Sequence, residues 1–149
     1  MIRGLIVPSP IAVIGAFGLT ACWPAQYPFV AKTYKARLTA KDEVPPNASA
    51  ATADGTFTFD AATKQLTWSV TFTGLSGPAA AAHIHRPAAP GANAGVVVAF
   101  DVPKAPAGEI KGSTLLVTEQ VNDLQSGKYY VNIHTAANKG GEIRGQIMP

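Results

Sequence analysis

The sequence has few of the residues on which recognisable chemistry usually depends. Its 149 residues include one cysteine and three histidines, and only 14% are charged. A single cysteine cannot close an internal disulfide. No two basic residues are adjacent, so the net charge of +3 does not predict a nucleic-acid-binding surface. The sequence also has no phosphate-binding glycine loop and no Gly-x-Ser-x-Gly elbow. We therefore do not expect an enzyme.

The N-terminal segment has the order of features that defines an export signal. A basic start at Arg3 precedes an apolar stretch over 4–19, and small residues lead to Cys22. The apolar stretch is interrupted by prolines and is too short for a good membrane span. Residues 19–22, Leu-Thr-Ala-Cys, resemble a bacterial lipobox. This resemblance implies cleavage before Cys22 and acylation of its thiol and new amino group.

The lipobox resemblance divides the chain into a signal peptide over 1–21, a proline-containing tether over 22–33 and a domain over 34–149. Acyl chains on Cys22 would anchor the protein to a membrane. Trp23 stands where an inner-membrane retention signal usually has Asp, so the outer membrane is the expected location. The alternative is an ordinary signal peptide that happens to contain a cysteine.

From Tyr34 onward, apolar and polar residues alternate with a period of two, which is typical of half-buried strands. The clearest example, QLTWSVTFTGL (65–75), places Leu66, Trp68, Val70 and Phe72 on one face. Between Gly and Pro breaks we expect about seven or eight short strands, with one helical or irregular turn at 121–127, and therefore an antiparallel β-sandwich. The other strands are expected in 34–44, 55–60, 80–85, 95–103 (with Val96, Val98, Phe100 and Val102 inward), 109–120, 128–135 and 141–148.

The three histidines are expected on polar faces of strands. His83 and His85 are two residues apart and therefore point the same way. At the end of the chain, apolar residues predict a hairpin whose other side carries polar residues, listed here: Tyr130, Asn132, His134, Glu142, Arg144 and Gln146. One register pairs His134 with Glu142 and Asn132 with Arg144, whereas a two-residue slip pairs His134 with Arg144. The sequence leaves both registers open.

If the strand of His83 and His85 lies next to this hairpin, His83, His85 and His134 converge. Imidazole suits copper, zinc and nickel, and three histidines with an open fourth position can hold a reactive metal. The alternative is that each histidine hydrogen-bonds a backbone carbonyl or a carboxylate and stabilises a loop.

The other polar residues of the hairpin are candidates for a ligand-binding surface, formed by Tyr130, Asn132, Glu142 and Arg144. We expect Glu142 and Arg144 to form an ion pair contributing a few tenths of a kcal/mol if exposed; the alternative is that they bind an anionic ligand. Trp68 and Tyr129 are expected in the core.

Several segments together resemble the CHRD domain, first described in chordin and widespread in bacterial exported proteins. The resemblance runs from Tyr34 to Pro149, and its segments are LTAKDEVPP (38–46), LTWSVTFTGLSG (66–77), AAHIHRPA (81–88), GVVVAF (95–100) and YYVNIHTAANKGGEIRGQI (129–147). It implies an immunoglobulin-like β-sandwich. Arg86 replaces the family's usual Gly after His-x-His and is expected to add charge at the rim of the site. Glu43 matches an acidic family position and is expected to support its loop.

These observations leave two functional hypotheses. In the first, the protein is a lipid-anchored, non-enzymatic binding or structural module of the cell envelope, with an envelope protein as its partner. In the second, it binds copper or zinc through His83, His85 and His134. The growth-factor binding of chordin does not transfer to a bacterial lipoprotein, because a shared fold does not imply a shared function.

Overall fold

A computed structural model describes residues 31–149. The expected signal peptide, Cys22 and most of the tether lie outside the described residues. The first strand begins at Ala31 and so includes the last three residues of the expected tether. The elements are β1 (Ala31–Thr39), a 3-10 turn (Ala40–Asp42), β2 (Thr52–Asp60), β3 (Gln65–Thr73), β4 (Ala79–His85), β5 (Val96–Ala99), β6 (Gly108–Leu115), α1 (Thr118–Gln125), β7 (Tyr129–Thr135) and β8 (Ile143–Ile147).

Within residues 31–149 the fold is all-β, with eight antiparallel strands and one short helix. The strands form a single sheet in the order β5-β4-β7-β8-β1-β2-β3-β6, which curls into a nearly closed, barrel-like shape. The expected all-β class and strand number are confirmed. The immunoglobulin-like sandwich of two separate sheets is not confirmed, because β8 pairs with β1 and joins the two four-stranded halves.

The seam between β1 and β8 depends on close backbone approach. Thr39 pairs with Arg144, and Lys35 exchanges two backbone hydrogen bonds with Met148, of 2.7 and 2.9 Å. A Cβ atom added at Gly145 would lie 2.2 Å from the carbonyl oxygen of Arg37. The absence of a side chain at Gly145 therefore allows the two strands to meet.

Alternation of apolar residues correctly predicts most of the core. The inward residues of β3 are buried, as are Tyr129, Val131 and Ile133 of β7. The prediction for 95–103 is wrong in part, because regular pairing ends at Ala99 and Val96 is 55% exposed. β5 lies at the edge of the described sheet and pairs only with β4. No strand of that sheet pairs with its other edge. No helix of the described residues is long and apolar enough to cross a membrane.

Candidate metal centre

The three histidines converge, as expected if the strand of His83 and His85 lies next to the hairpin. β4 pairs with β7, and this places His83 opposite Asn132 and Ala81 opposite His134. One nitrogen from each of His83, His85 and His134 lies within 4.8 Å of the others. His83 Nδ1 is 3.0 Å from His134 Nε2. His85 is buried, whereas His83 and His134 are partly exposed, so the cluster opens to solvent on one side.

Backbone carbonyls determine which nitrogens of the cluster carry protons. His85 Nδ1 lies 2.9 Å from the carbonyl oxygen of Ala94, and His134 Nδ1 lies 2.9 Å from that of Lys139. A carbonyl can only accept a hydrogen bond, so both Nδ1 atoms are the donors. The Nε2 atoms of the neutral rings therefore carry lone pairs, and both face the interior of the cluster. Such carbonyl contacts commonly orient metal-binding histidines.

Asn132 lies between these two lone pairs. Its side-chain amide, at Oδ1, is 3.1 Å from His85 Nε2 and 3.0 Å from His134 Nε2. Neither nitrogen has a proton to donate, so the amide must present its NH₂ group to them, which a half-turn of the side-chain amide achieves. Asn132 thus contacts the nitrogens that would otherwise be free to bind an ion.

The environment of His83 and His134 favours their neutral form. Burial lowers the pKa of His83, and the neighbouring His134 and His85 lower it further. Burial also lowers the pKa of His134, against the opposing effect of its hydrogen bond to Lys139. Neutral imidazole is the form that binds metal ions.

Over 129–133 the hairpin has the first of the two registers that the sequence left open, but the pairing ends at Ile133 and Ile143 and does not include His134 and Glu142. Asn132 lies opposite Arg144, and Tyr130 lies opposite Gln146. These side chains share the side of the hairpin away from the core, as expected. However, Tyr130, Asn132 and Arg144 are only 2–3% exposed. They do not form the open ligand surface that was expected, because another segment covers them.

The covering segment is the loop between β4 and β5, residues 86–95, which we call the strap. Arg144 donates from Nη1 to Asn93 Oδ1 and from Nη2 to the carbonyl oxygen of Ala92, at 3.0 and 2.5 Å. Gln146 donates to the carbonyl oxygen of Ala88 at 2.8 Å. The strap thus satisfies buried polar side chains that would otherwise be costly.

The ring of Tyr130 packs between His85 and Arg144. Its ring stacks on His85 with centroids 4.6 Å apart and an interplanar angle of 2°. The guanidinium carbon of Arg144 lies 3.4 Å from the centroid of the same ring. The backbone nitrogen of Ala94 donates to the Tyr130 hydroxyl at 3.2 Å. One aromatic side chain therefore contacts the histidine cluster, the buried arginine and the strap.

Arg86 does not add charge at the rim of the histidine cluster, contrary to expectation. It forms an ion pair with Asp123 of α1 and a longer contact of 3.6 Å with Glu119. Both acidic residues come from the helix that precedes β7. Arg86 therefore holds the start of the strap against α1 and is oriented away from the site.

The expected ion pair between Glu142 and Arg144 does not form. Gly141 has φ +138° and β8 begins at Ile143, so the alternation of β8 does not extend to Glu142. Its carboxylate instead accepts hydrogen bonds from Ser49 (2.7 Å), Ser76 (2.6 Å) and Thr135 (2.5 Å). Burial alone would raise the pKa of Glu142, but these hydrogen bonds outweigh burial and lower the pKa from 4.5 to about 2.

Sequence reasoning missed the burial of Glu43 and of Arg144. Glu43 is 5% exposed, and its Oε1 atom has no donor among the described residues. Its carboxyl group packs so closely on Gly141 that a Cβ atom there would lie 2.2 Å from Oε1, which agrees with the expected loop support. The sequence signal was the acidic residue directly before Val44-Pro45-Pro46, but nothing in the sequence indicated its burial.

Comparison with known proteins shows the family. The sequence matches the CHRD domain family over residues 34–147. The chain belongs to the CHRD domain family. This is a family of non-catalytic domains, in agreement with the expectation of a non-enzymatic module. No curated protein and no solved structure gave a significant match.

Glu142 generates a prediction about acid stability. Glu142→Gln should lower the free energy of unfolding at neutral pH by about 1–3 kcal/mol, since one acceptor oxygen is replaced by an NH₂ group facing hydroxyl donors. A carboxylate with a lowered pKa stabilises above its unfolded pKa, near 4.5, and the stabilisation is lost as the pH falls through about 2. Denaturant unfolding of both proteins across this range should show their difference shrinking toward low pH.

The matched control is Glu119→Gln, because Glu119 is exposed and makes only a long contact. It should change the free energy of unfolding by less than about 0.5 kcal/mol. An equal effect of the two substitutions, or a difference that does not change with pH, would contradict the role assigned to Glu142.

Proposed function

We propose that this protein is an exported, lipid-anchored CHRD domain that works as a non-enzymatic binding module of the cell envelope. We further propose that its ligand is a single copper or zinc ion held by His83, His85 and His134. The observation that carries the metal proposal is the convergence of three imidazoles, with one nitrogen of each within 4.8 Å of the others. These are all the histidines that the chain contains.

The donor set supports a late transition metal. All three donors are imidazole nitrogens, which suit copper and zinc better than magnesium or calcium. Bond lengths of 2.0–2.1 Å at tetrahedral angles separate the nitrogens by about 3.3 Å, so a pair of nitrogens at the 4.8 Å limit must approach by about 1.5 Å. The Asn132 amide must also withdraw from between the rings. The partly exposed side of His83 and His134 would leave a fourth position for water or another ligand.

The other candidate function, in which the open sheet face binds a protein partner, is less well supported than metal binding. The side chains expected to form that face, including Tyr130 and Arg144, are covered by the strap. On the same side of the hairpin, His83 and His134 remain partly exposed to solvent. The geometry therefore favours a metal ion over a protein at this face.

The lipid anchor is proposed from the lipobox resemblance at 19–22. Cys22→Ser should abolish incorporation of a labelled fatty acid into the full-length protein, because acylation requires the thiol. Metabolic labelling with a fatty acid would measure this. A parent protein that incorporates no fatty acid, or a serine variant that incorporates as much as the parent, would contradict acylation at Cys22.

The metal proposal predicts one bound ion in protein purified without a histidine tag. His83→Ala should weaken copper or zinc binding by more than about 100-fold, since loss of an outer partner of a ligand already costs 10–100-fold. Elemental analysis and competition titration would measure binding. At a metal concentration 100 times the parent's Kd, bound metal should raise the free energy of unfolding of the parent by about 2.7 kcal/mol. The same metal concentration should raise that of the variant much less.

The matched control is Lys139→Ala. The side chain of Lys139 is exposed, and its carbonyl oxygen, which contacts His134, is retained in the variant. It should bind metal as the parent does. A parent protein that binds no metal, or equal metal binding by the parent and His83→Ala, would overturn the metal proposal.

A further inference from the structure

A second candidate site lies outside the histidine cluster. A cleft of about 410 Å³ separates the segment after β1 from the tip of the strap, a volume in the range of small-molecule sites. Val44 and Pro46 line one wall, Pro90 and Gly91 line the other, and Arg144 and Gln146 of β8 also line it. No histidine lines this cleft, so its ligand would be independent of the metal.

Arg144 is a buried cation that forms no close ion pair within the described domain, although its charge is near enough to Glu43 to oppose the rise in pKa that burial causes there. It is 2% exposed, and it forms no ion pair with any carboxylate of residues 31–149. The strap takes hydrogen bonds from both terminal nitrogens, which uses two of the five N–H donors of a guanidinium. Buried charges are normally paired. A buried guanidinium that lines a cleft and has no described carboxylate within ion-pair distance therefore indicates a site for an anion.

The other charged groups at the cleft adjust its net charge. Lys41 is exposed at the rim, and Asp42 accepts a hydrogen bond from the hydroxyl of Thr39 at 2.7 Å. Burial raises the pKa of Glu43 to about 7. With Glu43 ionised, the two cations and two anions balance. With Glu43 protonated, the cleft carries a net positive charge.

We propose that this cleft binds a small organic carboxylate, with Arg144 as the principal contact and Lys41 as a second cation at the rim. A planar guanidinium matches the two oxygens of a carboxylate. The apolar walls at Val44, Pro46 and Pro90 suit the carbon part of such a ligand. An inorganic oxyanion would gain nothing from these walls, so the chemistry favours an organic acid.

The test is a titration of metal-free, ¹⁵N-labelled protein with lactate, followed by amide NMR, with sulfate at equal ionic strength as the comparison. Lactate should cause saturable shifts at Gly91, Arg144 and Gln146, with a Kd on the order of 1 mM. Lys41→Ala should weaken binding about 2–5-fold, as expected for an exposed charge. Lys111→Ala removes the same charge from β6, away from the cleft, and should leave binding unchanged.

Glu43 supplies a second, independent readout. Lactate should bind the parent more weakly at about pH 8 than at about pH 6, because ionised Glu43 repels a carboxylate. Glu43→Gln should remove this pH dependence while retaining binding. Arg144→Gln should abolish binding, and the Lys41 and Glu43 variants decide the question if that protein does not fold. Absence of saturable shifts, equal binding of sulfate, or equal effects of Lys41→Ala and Lys111→Ala would overturn the proposal.

Discussion

The hydrogen bonds between the strap and the polar side of the β7–β8 hairpin are the interaction on which the site depends. A hairpin that buries apolar residues on one side must satisfy every polar group that becomes buried on the other. Arg144 and Gln146 donate to strap carbonyls, and Tyr130 accepts from the strap backbone. These hydrogen bonds fix the strap against the side of the hairpin that faces away from the core, although the strap has no regular secondary structure over 86–95.

The same interaction links the fold to the chemistry of the histidines. The carbonyl oxygen of Ala94 belongs to the strap, and it assigns the proton of His85 to Nδ1. The carbonyl oxygen of Lys139 in the β7–β8 loop does the same for His134. Two loops therefore orient two rings so that their Nε2 lone pairs face inward, and Asn132 occupies the space between them. His134 Nε2 also lies 3.0 Å from His83 Nδ1.

Periodicity predicts those parts of this structure that depend on sheet geometry. Alternation in 129–133 and 143–147 places Ile133 and Ile143 in the core, and consequently places Asn132 and His134 on the opposite side. It cannot predict the burial of that side, because a loop such as the strap has no period that indicates what it covers. It also fails at Glu142, where Gly141 with φ +138° ends the alternation and directs the carboxylate to Ser76 and Thr135. Glu142 therefore forms no ion pair with Arg144.

The protonation pattern of the imidazoles tests the central claim most directly. Long-range ¹H–¹⁵N NMR of the metal-free protein at neutral pH distinguishes a protonated Nδ1 from a protonated Nε2 in each ring. In their neutral form, His85 and His134 should both carry the proton on Nδ1, as their carbonyl contacts require. A proton on Nε2 of either neutral ring would contradict the account, because its lone pair would then not face the shared centre.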